Sequence, residues 1–266
     1  MILGRLQGRS CIRSVYVLLT AAVPILGAHA QGSFRPSVEG WDTLTVVDTT
    51  RDRRIPIAIL RASPEVTPQQ RVVLISHGYN ENIPGTYLFF SGIAQGLSAA
   101  GYHVVSVQHE APSDELLPMT GDLRTTRRPN WERGVKNLRC VRQALRALEP
   151  TWPLDKVDLI GHSNGGDISL LYASLQPEEV NVAVSLDNKR MPLPRVERPH
   201  IATLRAGDDA PADAGVLPTA AEQKAFGIEV ITMQGFKHGD MNDRATPEQR
   251  AELVRTLLAV LDHTSY

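Results

Sequence analysis

A serine set between two glycines follows a short apolar run in KVDLIGHSNGGDISLLYA, residues 156–173. Gly161, Ser163 and Gly165 fit the pattern G-x-S-x-G, in which a serine occupies a sharp turn between a strand and a helix. Because glycine carries no side chain, the two glycines would let strand and helix approach closely around a serine with positive φ. The pattern predicts that Ser163 is a nucleophile; the alternative is a serine that only caps the helix.

A serine hydroxyl needs a neighbouring base to accept its proton before it attacks a carbonyl carbon. His238 is the candidate base, because it follows the last predicted strand in EVITMQGFKHGDM and comes after the nucleophile in the chain. His77, His109 and His162 also end predicted strands, but none of them follows the nucleophile strand. We therefore expect them to support the site structurally, with His162 also contributing to substrate binding.

Two residues are candidates for the carboxylate that would orient His238. Asp208 follows the strand pattern HIATLRAG, the usual place for the acid in this topology, and Asp187 follows the preceding strand pattern VNVAVSL. A carboxylate at either position could reach the histidine, because parallel strands bring their carboxyl ends to one edge of the sheet. The sequence leaves both open, and one of the two could instead anchor loops.

Attack on a carbonyl group creates a negatively charged oxygen that needs preorganised hydrogen-bond donors. The backbone N–H of Asn164, directly after the serine, is one predicted donor. The other is the backbone N–H of Tyr79 in HGYN, where Gly78 permits a tight turn after the strand pattern VVLIS. The Tyr79 ring is also a candidate wall of the substrate-binding cavity.

Short β-branched runs alternate with helical patterns from RVVLISH onward. This alternation predicts an α/β fold with a mostly parallel sheet and helices on both faces. Upstream, TLTVVDTTRDRRIPIAIL holds two strand patterns around a polar turn and predicts an antiparallel hairpin. Helical spacing appears in 131–148 and again after Thr246-Pro247. About a dozen residues separate Asp187 from His200, too few for a helical cap domain.

The first thirty of the 266 residues, MILGRLQGRSCIRSVYVLLTAAVPILGAHA, look like a secretory signal. Three arginines precede a short apolar run that ends in A-x-A, the pattern of a cleavage site after Ala30. We therefore predict a signal peptide at 1–30, a single domain at 31–266, and a periplasmic or secreted mature chain. The alternative is an uncleaved anchor, but the apolar run falls short of the about 20 residues that span a bilayer.

The formal net charge is −1, and loss of three arginines with the signal leaves 25 − 29 = −4 for the predicted mature chain. This charge argues against nucleic acid as a partner, because such proteins present a basic face. The histidines show no metal-ligand spacing such as H-E-x-x-H, so no metal and no organic cofactor is implied. Cys140 lies in a helical pattern and is expected to be a buried apolar residue. The sequence does not indicate the oligomeric state.

The chain resembles the α/β-hydrolase superfamily over nearly all of its predicted mature length. More narrowly, DTTRDRRIPIAIL, ISHGYN, GYHVVSVQHEAPSDE and GHSNGGD resemble the platelet-activating-factor acetylhydrolases, with dienelactone hydrolases and cutinase-like esterases as related groups. The first resemblance implies Asp187 as the acid, through SLDNKRMPLPR, whereas the related groups imply Asp208. Asn164 stands where cutinase-like polyester hydrolases usually carry methionine, and Ser163 where dienelactone hydrolases typically carry cysteine.

Together these features predict an exported serine hydrolase that cleaves small to medium carboxylic esters through a Ser-His-Asp triad and an acyl-enzyme. An amidase or peptidase on the same triad is one alternative, and a non-catalytic binding protein of the same fold is another. The predicted partner is a small-molecule ester. Arg124, Arg127 and Arg128, in the loop 111–130, are either a solvated basic surface or contacts for an anionic substrate.

Overall fold

A sheet of nine strands forms the centre of the part of the chain that the structure describes. The computed structural model describes residues 17–18, 40–66, 71–207 and 210–262. The strands are β1 (Val17–Leu18), β2 (Asp42–Asp48), β3 (Arg53–Leu60), β4 (Val72–Ser76), β5 (His103–Val107), β6 (Val157–His162), β7 (Val180–Leu186), β8 (His200–Ala206) and β9 (Glu229–Met233). Their spatial order is β1-β2-β3-β5-β4-β6-β7-β8-β9. The six strands from β4 to β9 run parallel, whereas β2 and β3 form an antiparallel hairpin whose second strand pairs antiparallel with β5.

Helices cover both faces of this sheet. They are α1 (Ser91–Ala99), α2 (Leu123–Thr126), α3 (Arg128–Leu148), α4 (Asn164–Leu175), α5 (Ala220–Phe226) and α6 (Pro247–Asp262). Helices α1 and α6 contact each other, as do α3 and α4. Two hydrophobic clusters result, one containing Trp131 and Ile168 and the other Phe90 and Leu257. The predicted α/β architecture, with its antiparallel hairpin, is confirmed.

The central strands are buried along their whole length and largely apolar, because both of their faces are covered. All five residues of β4 and all six residues of β6 are buried. Continuous apolar runs of this kind are typical of parallel strands between two helical layers. The carboxyl ends of these strands therefore emerge together at one edge of the sheet, where side chains for chemistry can meet.

The segment between β5 and α3 contains more helix than the sequence predicted. Helix α2 was not expected, and α3 begins at Arg128 rather than at residue 131. Asp122 accounts for α2, since its carboxylate accepts hydrogen bonds from the Arg124 N–H at 3.2 Å and the Thr125 hydroxyl at 2.7 Å. Pro129 lies in the first turn of α3, where proline favours helix initiation.

Residues 187–199, between β7 and β8, form no helix, so no cap domain covers the site from this position, as predicted. The predicted signal peptide lies outside the described residues, except that Val17 and Leu18 pair with β2. Of the helices in the described ranges, none combines the length and apolarity needed to cross a membrane.

Candidate active site

Ser163 occupies a strained turn between β6 and α4. Its φ is 53° and its ψ is −121°, outside the conformations that residues with a Cβ prefer. The turn is also tightly packed: a Cβ built on Gly161 would lie 2.2 Å from the carbonyl oxygen of Gly165, and one built on Gly165 would lie 2.2 Å from that of Ser76. The glycines of the pattern are therefore required by backbone contact, and the turn presents Ser163 at the carboxyl edge of the sheet.

Ser163, His238 and Asp187 form a continuous hydrogen-bonded line. The Ser163 Oγ lies 2.9 Å from Nε2 of His238, and Nδ1 of the same ring lies 2.7 Å from Oδ2 of Asp187. An ionised carboxylate only accepts hydrogen bonds, so Nδ1 carries the proton and Nε2 is left to accept from the serine hydroxyl. This is the arrangement that general-base activation of a serine requires.

Asp187 is fully buried at the end of β7. Burial acts to raise the pKa of its carboxyl, but hydrogen bonds from His238 and Lys189 and the charge of Arg205 lower that pKa below its ordinary value. Asp187 therefore faces His238 as a carboxylate. Asp208, the other candidate acid, lies outside the described residues.

The turn that carries His238 is held from two sides. Asp243 accepts hydrogen bonds from the backbone N–H groups of Ser91 and Gly92, both at 2.8 Å, which ties the loop after β9 to the start of α1. From β6, the Nε2–H of His162 donates to the backbone carbonyl of His238 at 2.9 Å. Burial, followed by the nearby His238 ring, lowers the pKa of His162 to about 3, so His162 supports the loop as a neutral donor.

Both predicted oxyanion donors belong to residues close to Ser163: Asn164 follows it directly, and Tyr79 lines the same cavity. A Cβ on Gly78 would lie 3.2 Å from the Ser163 Cβ, which shows how closely the turn that precedes Tyr79 packs against the serine. Within the described residues, neither the Tyr79 N–H nor the Asn164 N–H has a hydrogen-bond acceptor. The Tyr79 hydroxyl accepts a hydrogen bond from the Leu117 N–H at 3.1 Å, which fixes its ring beside the site.

Sequence reasoning missed a buried polar cluster around the side chain of Asn164. The Asn164 Oδ1 accepts from Trp131 Nε1 at 2.9 Å, while its Nδ2 donates to Asn130 Oδ1 at 2.9 Å and to Glu110 Oε1 at 3.3 Å. We call Glu110, Asn130, Trp131 and Asn164 the Asn164 cluster. Because this cluster fixes the side chain next to Ser163, it also fixes the backbone N–H of the same residue.

His77 and His109, expected to be structural, are buried behind the serine. The Nδ1–H of His77 donates to the Gly78 carbonyl at 2.7 Å, and its Nε2 accepts from the His109 N–H at 3.0 Å. Burial lowers the pKa of His109 well below its ordinary value. The His77 ring therefore supports the turn before Tyr79, and in the described residues neither ring forms a hydrogen bond with Ser163.

A cavity of about 160 Å³ opens beside Ser163. Its lining includes the predicted Tyr79, His162 and His238, together with residues that the sequence did not single out: Asn80, Thr86, Phe89, Phe90, Asn242 and Arg244. A larger groove of about 720 Å³, lined by Arg54 and Lys136 among others, contains none of the three residues of the hydrogen-bonded line. We assign the smaller cavity as the candidate site because it alone of the two reaches the serine.

The basic loop does not enter this cavity. Arg124 donates to the Ala214 carbonyl at 3.2 Å, Arg127 is buried against the Pro118 carbonyl at 2.8 Å, and Arg128 pairs with Glu132 at 2.9 Å. None of the three arginines lines the cavity, and Arg124 and Arg128 are accessible to solvent, which agrees with a solvated basic surface.

Cys140 is buried in the core as expected, and burial raises the pKa of its thiol to about 12. Within the described part of the chain, no group of three or more His, Cys, Asp or Glu side chains is arranged to hold a metal ion.

Comparison with known proteins finds a partial relative. No protein-family profile matches the chain. A curated protein of Arthroderma benhamiae, described as "Probable 1-alkyl-2-acetylglycerophosphocholine esterase", is 28% identical over 132 residues. The match covers 42% of this chain and 33% of that protein, so the chain spans only about a third of the curated relative that it matches.

Solved structures match over most of the chain. A lid-less α/β serine hydrolase of Xanthomonas campestris has a TM-score of 0.53 and 17% identity, covering 85% of this chain and 94% of its own. Apo esterase 2 of Thermogutta terrifontis has a TM-score of 0.60 and 14% identity, with 85% and 96% covered. An epoxide hydrolase of Vigna radiata has a TM-score of 0.58 and 12% identity, with 84% and 100% covered. At these identities the likeness is one of fold.

Proposed function

We propose that this chain, which has the α/β-hydrolase fold, is a serine esterase that cleaves carboxylic esters with small acyl groups. The observation that carries the proposal is the line from Ser163 Oγ through His238 to Asp187, with contacts of 2.9 and 2.7 Å. The esterases among the proteins of similar fold, and the curated relative described as an esterase, support the same reaction class.

Each residue of the line has a step in this reaction. Ser163 Oγ attacks the ester carbonyl while His238 Nε2 takes the hydroxyl proton, and Asp187 holds the ring with Nε2 facing the serine. The N–H groups of Tyr79 and Asn164 receive the negative oxygen. The imidazolium then protonates the leaving alcohol, and water releases the acyl group by the same sequence of proton transfers.

The size and lining of the cavity support esters with small acyl groups as the substrates. Its volume of about 160 Å³ suits an acyl chain of a few carbons, and Phe89 and Phe90 supply an apolar wall. Arg244, the one charged side chain lining the cavity among the described residues, stands where it could meet a polar leaving group. The short acetyl group named for the curated relative agrees with this size.

The test combines labelling with turnover. A fluorophosphonate probe should label the wild type and the matched control Ser174→Ala, whose serine is exposed on α4, but not Ser163→Ala. Across p-nitrophenyl esters, kcat/KM should be highest for two to about four acyl carbons. Labelling that survives in Ser163→Ala would overturn the assignment, and a folded wild type that neither reacts nor hydrolyses esters would favour a binding protein. Faster cleavage of matched p-nitroanilides would favour an amidase.

We propose Asp187, rather than Asp208, as the acid, on the strength of its 2.7 Å contact with His238. In Asp187→Asn the amide would favour the wrong tautomer of His238, so kcat should fall by about 10⁴-fold. Asp208→Asn is the matched comparison and should retain most of the activity. The opposite ranking of the two variants would transfer the role to Asp208.

We also propose that the chain is exported to the periplasm or secreted, on the basis of the signal pattern at 1–30. Mass spectrometry of the mature protein from the native cell envelope or medium should give an N-terminus at Gln31. Recovery of the full-length chain from the cytosol would contradict export.

A further inference from the structure

Two cationic side chains bind the carboxylate of Asp187 in addition to His238. Lys189 Nζ lies 2.8 Å from Oδ2, the same oxygen that accepts the His238 bond, and Arg205 Nη2 lies 2.7 Å from Oδ1. The side chains of Lys189 and Arg205 are only 15% and 8% exposed. While His238 is neutral, the carboxylate and its two cations therefore carry a formal charge of +1 in a largely buried site.

The Lys189 ammonium is close enough to influence whether His238 takes up a proton. Both groups bind Oδ2, so Lys189 Nζ and His238 Nδ1 lie at most 2.8 + 2.7 = 5.5 Å apart. A positive charge at this distance opposes formation of the imidazolium. A triad aspartate favours the imidazolium, so a cation on the same oxygen partly offsets the effect of Asp187.

We propose that Lys189 is a positioning residue that sets the acidic limit of the reaction. Its ammonium keeps Asp187 ionised and in place, and it keeps His238 neutral, hence able to accept the serine proton, at lower pH than Asp187 alone would. The catalytic part of this inference rests on the proposed esterase function, whereas the protonation of His238 does not. Arg205 acts in the same direction but is the more buried of the two and also donates to Asn188 and Thr203, whereas Lys189 makes one further hydrogen bond, to the Ala210 carbonyl, so we choose Lys189 for substitution.

Other groups that face His238 do not remove this effect. His162, at the end of β6, lies 4.7 Å from the His238 ring between centroids, and burial keeps it neutral by lowering its pKa to about 3. Arg244 lines the same cavity and adds further positive charge. In the turn of His238 itself, the Asp240 carboxylate is engaged by the Lys237 N–H at 2.8 Å.

The test is an NMR titration of the His238 imidazole on the folded chain without substrate, with the resonance assigned by its loss in His238→Gln. In Lys189→Met the midpoint should rise by about one pH unit. Lys189→Gln, which keeps a donor without the charge, should give the same rise, and Lys189→Arg should restore the wild-type midpoint. Lys224→Met removes an exposed lysine of α5 and should change nothing. A midpoint that stays in place in either folded neutral variant would overturn the inference.

The pH dependence of kcat/KM gives a second readout. In Lys189→Met the acidic limb should move to higher pH by a similar amount, whereas a purely structural role for Lys189 would lower kcat at every pH without moving the limb. Ser163→Ala separates the two proposals. Hydrolysis that does not depend on Ser163 refutes the esterase function and leaves the NMR result standing. Ser163-dependent hydrolysis with an unmoved limb refutes the role of Lys189 alone.

Discussion

Asp167 should make the free energy of unfolding depend on pH, and a single substitution should remove this contribution. It lies in the first turn of α4, fully buried, and its Oδ1 accepts hydrogen bonds from Asn188 Nδ2 at 3.0 Å and from the N–H groups of Arg190 and Met191 at 3.2 and 2.7 Å. Burial outweighs these bonds and raises the pKa of Asp167 to about 6, from an ordinary value of 3.8.

The direction in which the free energy of unfolding changes with pH follows from proton binding by Asp167. Between about pH 4 and about pH 6 the folded protein holds a proton on Asp167 that the unfolded chain has released. The free energy of unfolding therefore falls as the pH rises through this interval. With pKa values of about 6 and 3.8, the contribution lost between about pH 4.5 and about pH 7.5 is about 2 kcal/mol.

The perturbation is Asp167→Asn. The amide oxygen can accept the same three hydrogen bonds but cannot ionise, so the variant should gain about 2 kcal/mol relative to the wild type as the pH rises from about 4.5 to about 7.5. Urea denaturation of both proteins at several pH values measures this difference, in which other titrating groups cancel. Asp155→Asn, at a fully exposed carboxylate, is the control and should show no such trend. A difference between Asp167→Asn and wild type that is independent of pH would refute the reasoning.

Gly165→Ala should destabilise the fold by at least about 3 kcal/mol, because its methyl would lie 2.2 Å from the carbonyl oxygen at the end of β4. A methyl group on Gly239 would meet no atom within 4 Å, so Gly239→Ala should cost under about 0.5 kcal/mol; urea denaturation measures both variants, and equal losses would contradict the packing argument. Trp131→Phe removes the donor to Asn164 Oδ1, so kcat on a short p-nitrophenyl ester should fall by about tenfold with KM little changed. Trp152→Phe, at a buried ring that stacks on His103 at the start of β5, is the matched control, and an equal fall in both would argue against a specific role for the Trp131 bond.

The features of the site that the sequence predicted depend on residues that lie close together in the chain. The turn around Ser163 depends on residues within a few positions of one another, so the spacing of Gly161 and Gly165 was sufficient to predict it. The acid could not be chosen in the same way, because Asp187 and Asp208 each follow a strand pattern in the sequence, and the carboxyl ends of parallel strands meet at one edge of a sheet.

The contacts that the sequence did not reveal are non-local. Asn164 meets Glu110 across 54 positions of chain, and His162 supports His238 across 76. No spacing rule links such pairs, because their distance is set by how helices and strands pack. The only sequence signal was the presence of polar residues such as Glu110 and Asn130 beside otherwise apolar runs, which in retrospect marked buried hydrogen bonding.

The position of His238, the base of the proposed triad, depends on the hydrogen bonds that the backbone N–H groups of Ser91 and Gly92 donate to Asp243. If Ser91 and Gly92 separate from the Asp243 carboxylate, the loop that carries His238 is no longer fixed to α1, although the sheet stays folded. On warming, the proposed esterase activity should then be lost at a lower temperature than that of global unfolding. The difference between these two temperatures would report the strength of the Asp243 contacts.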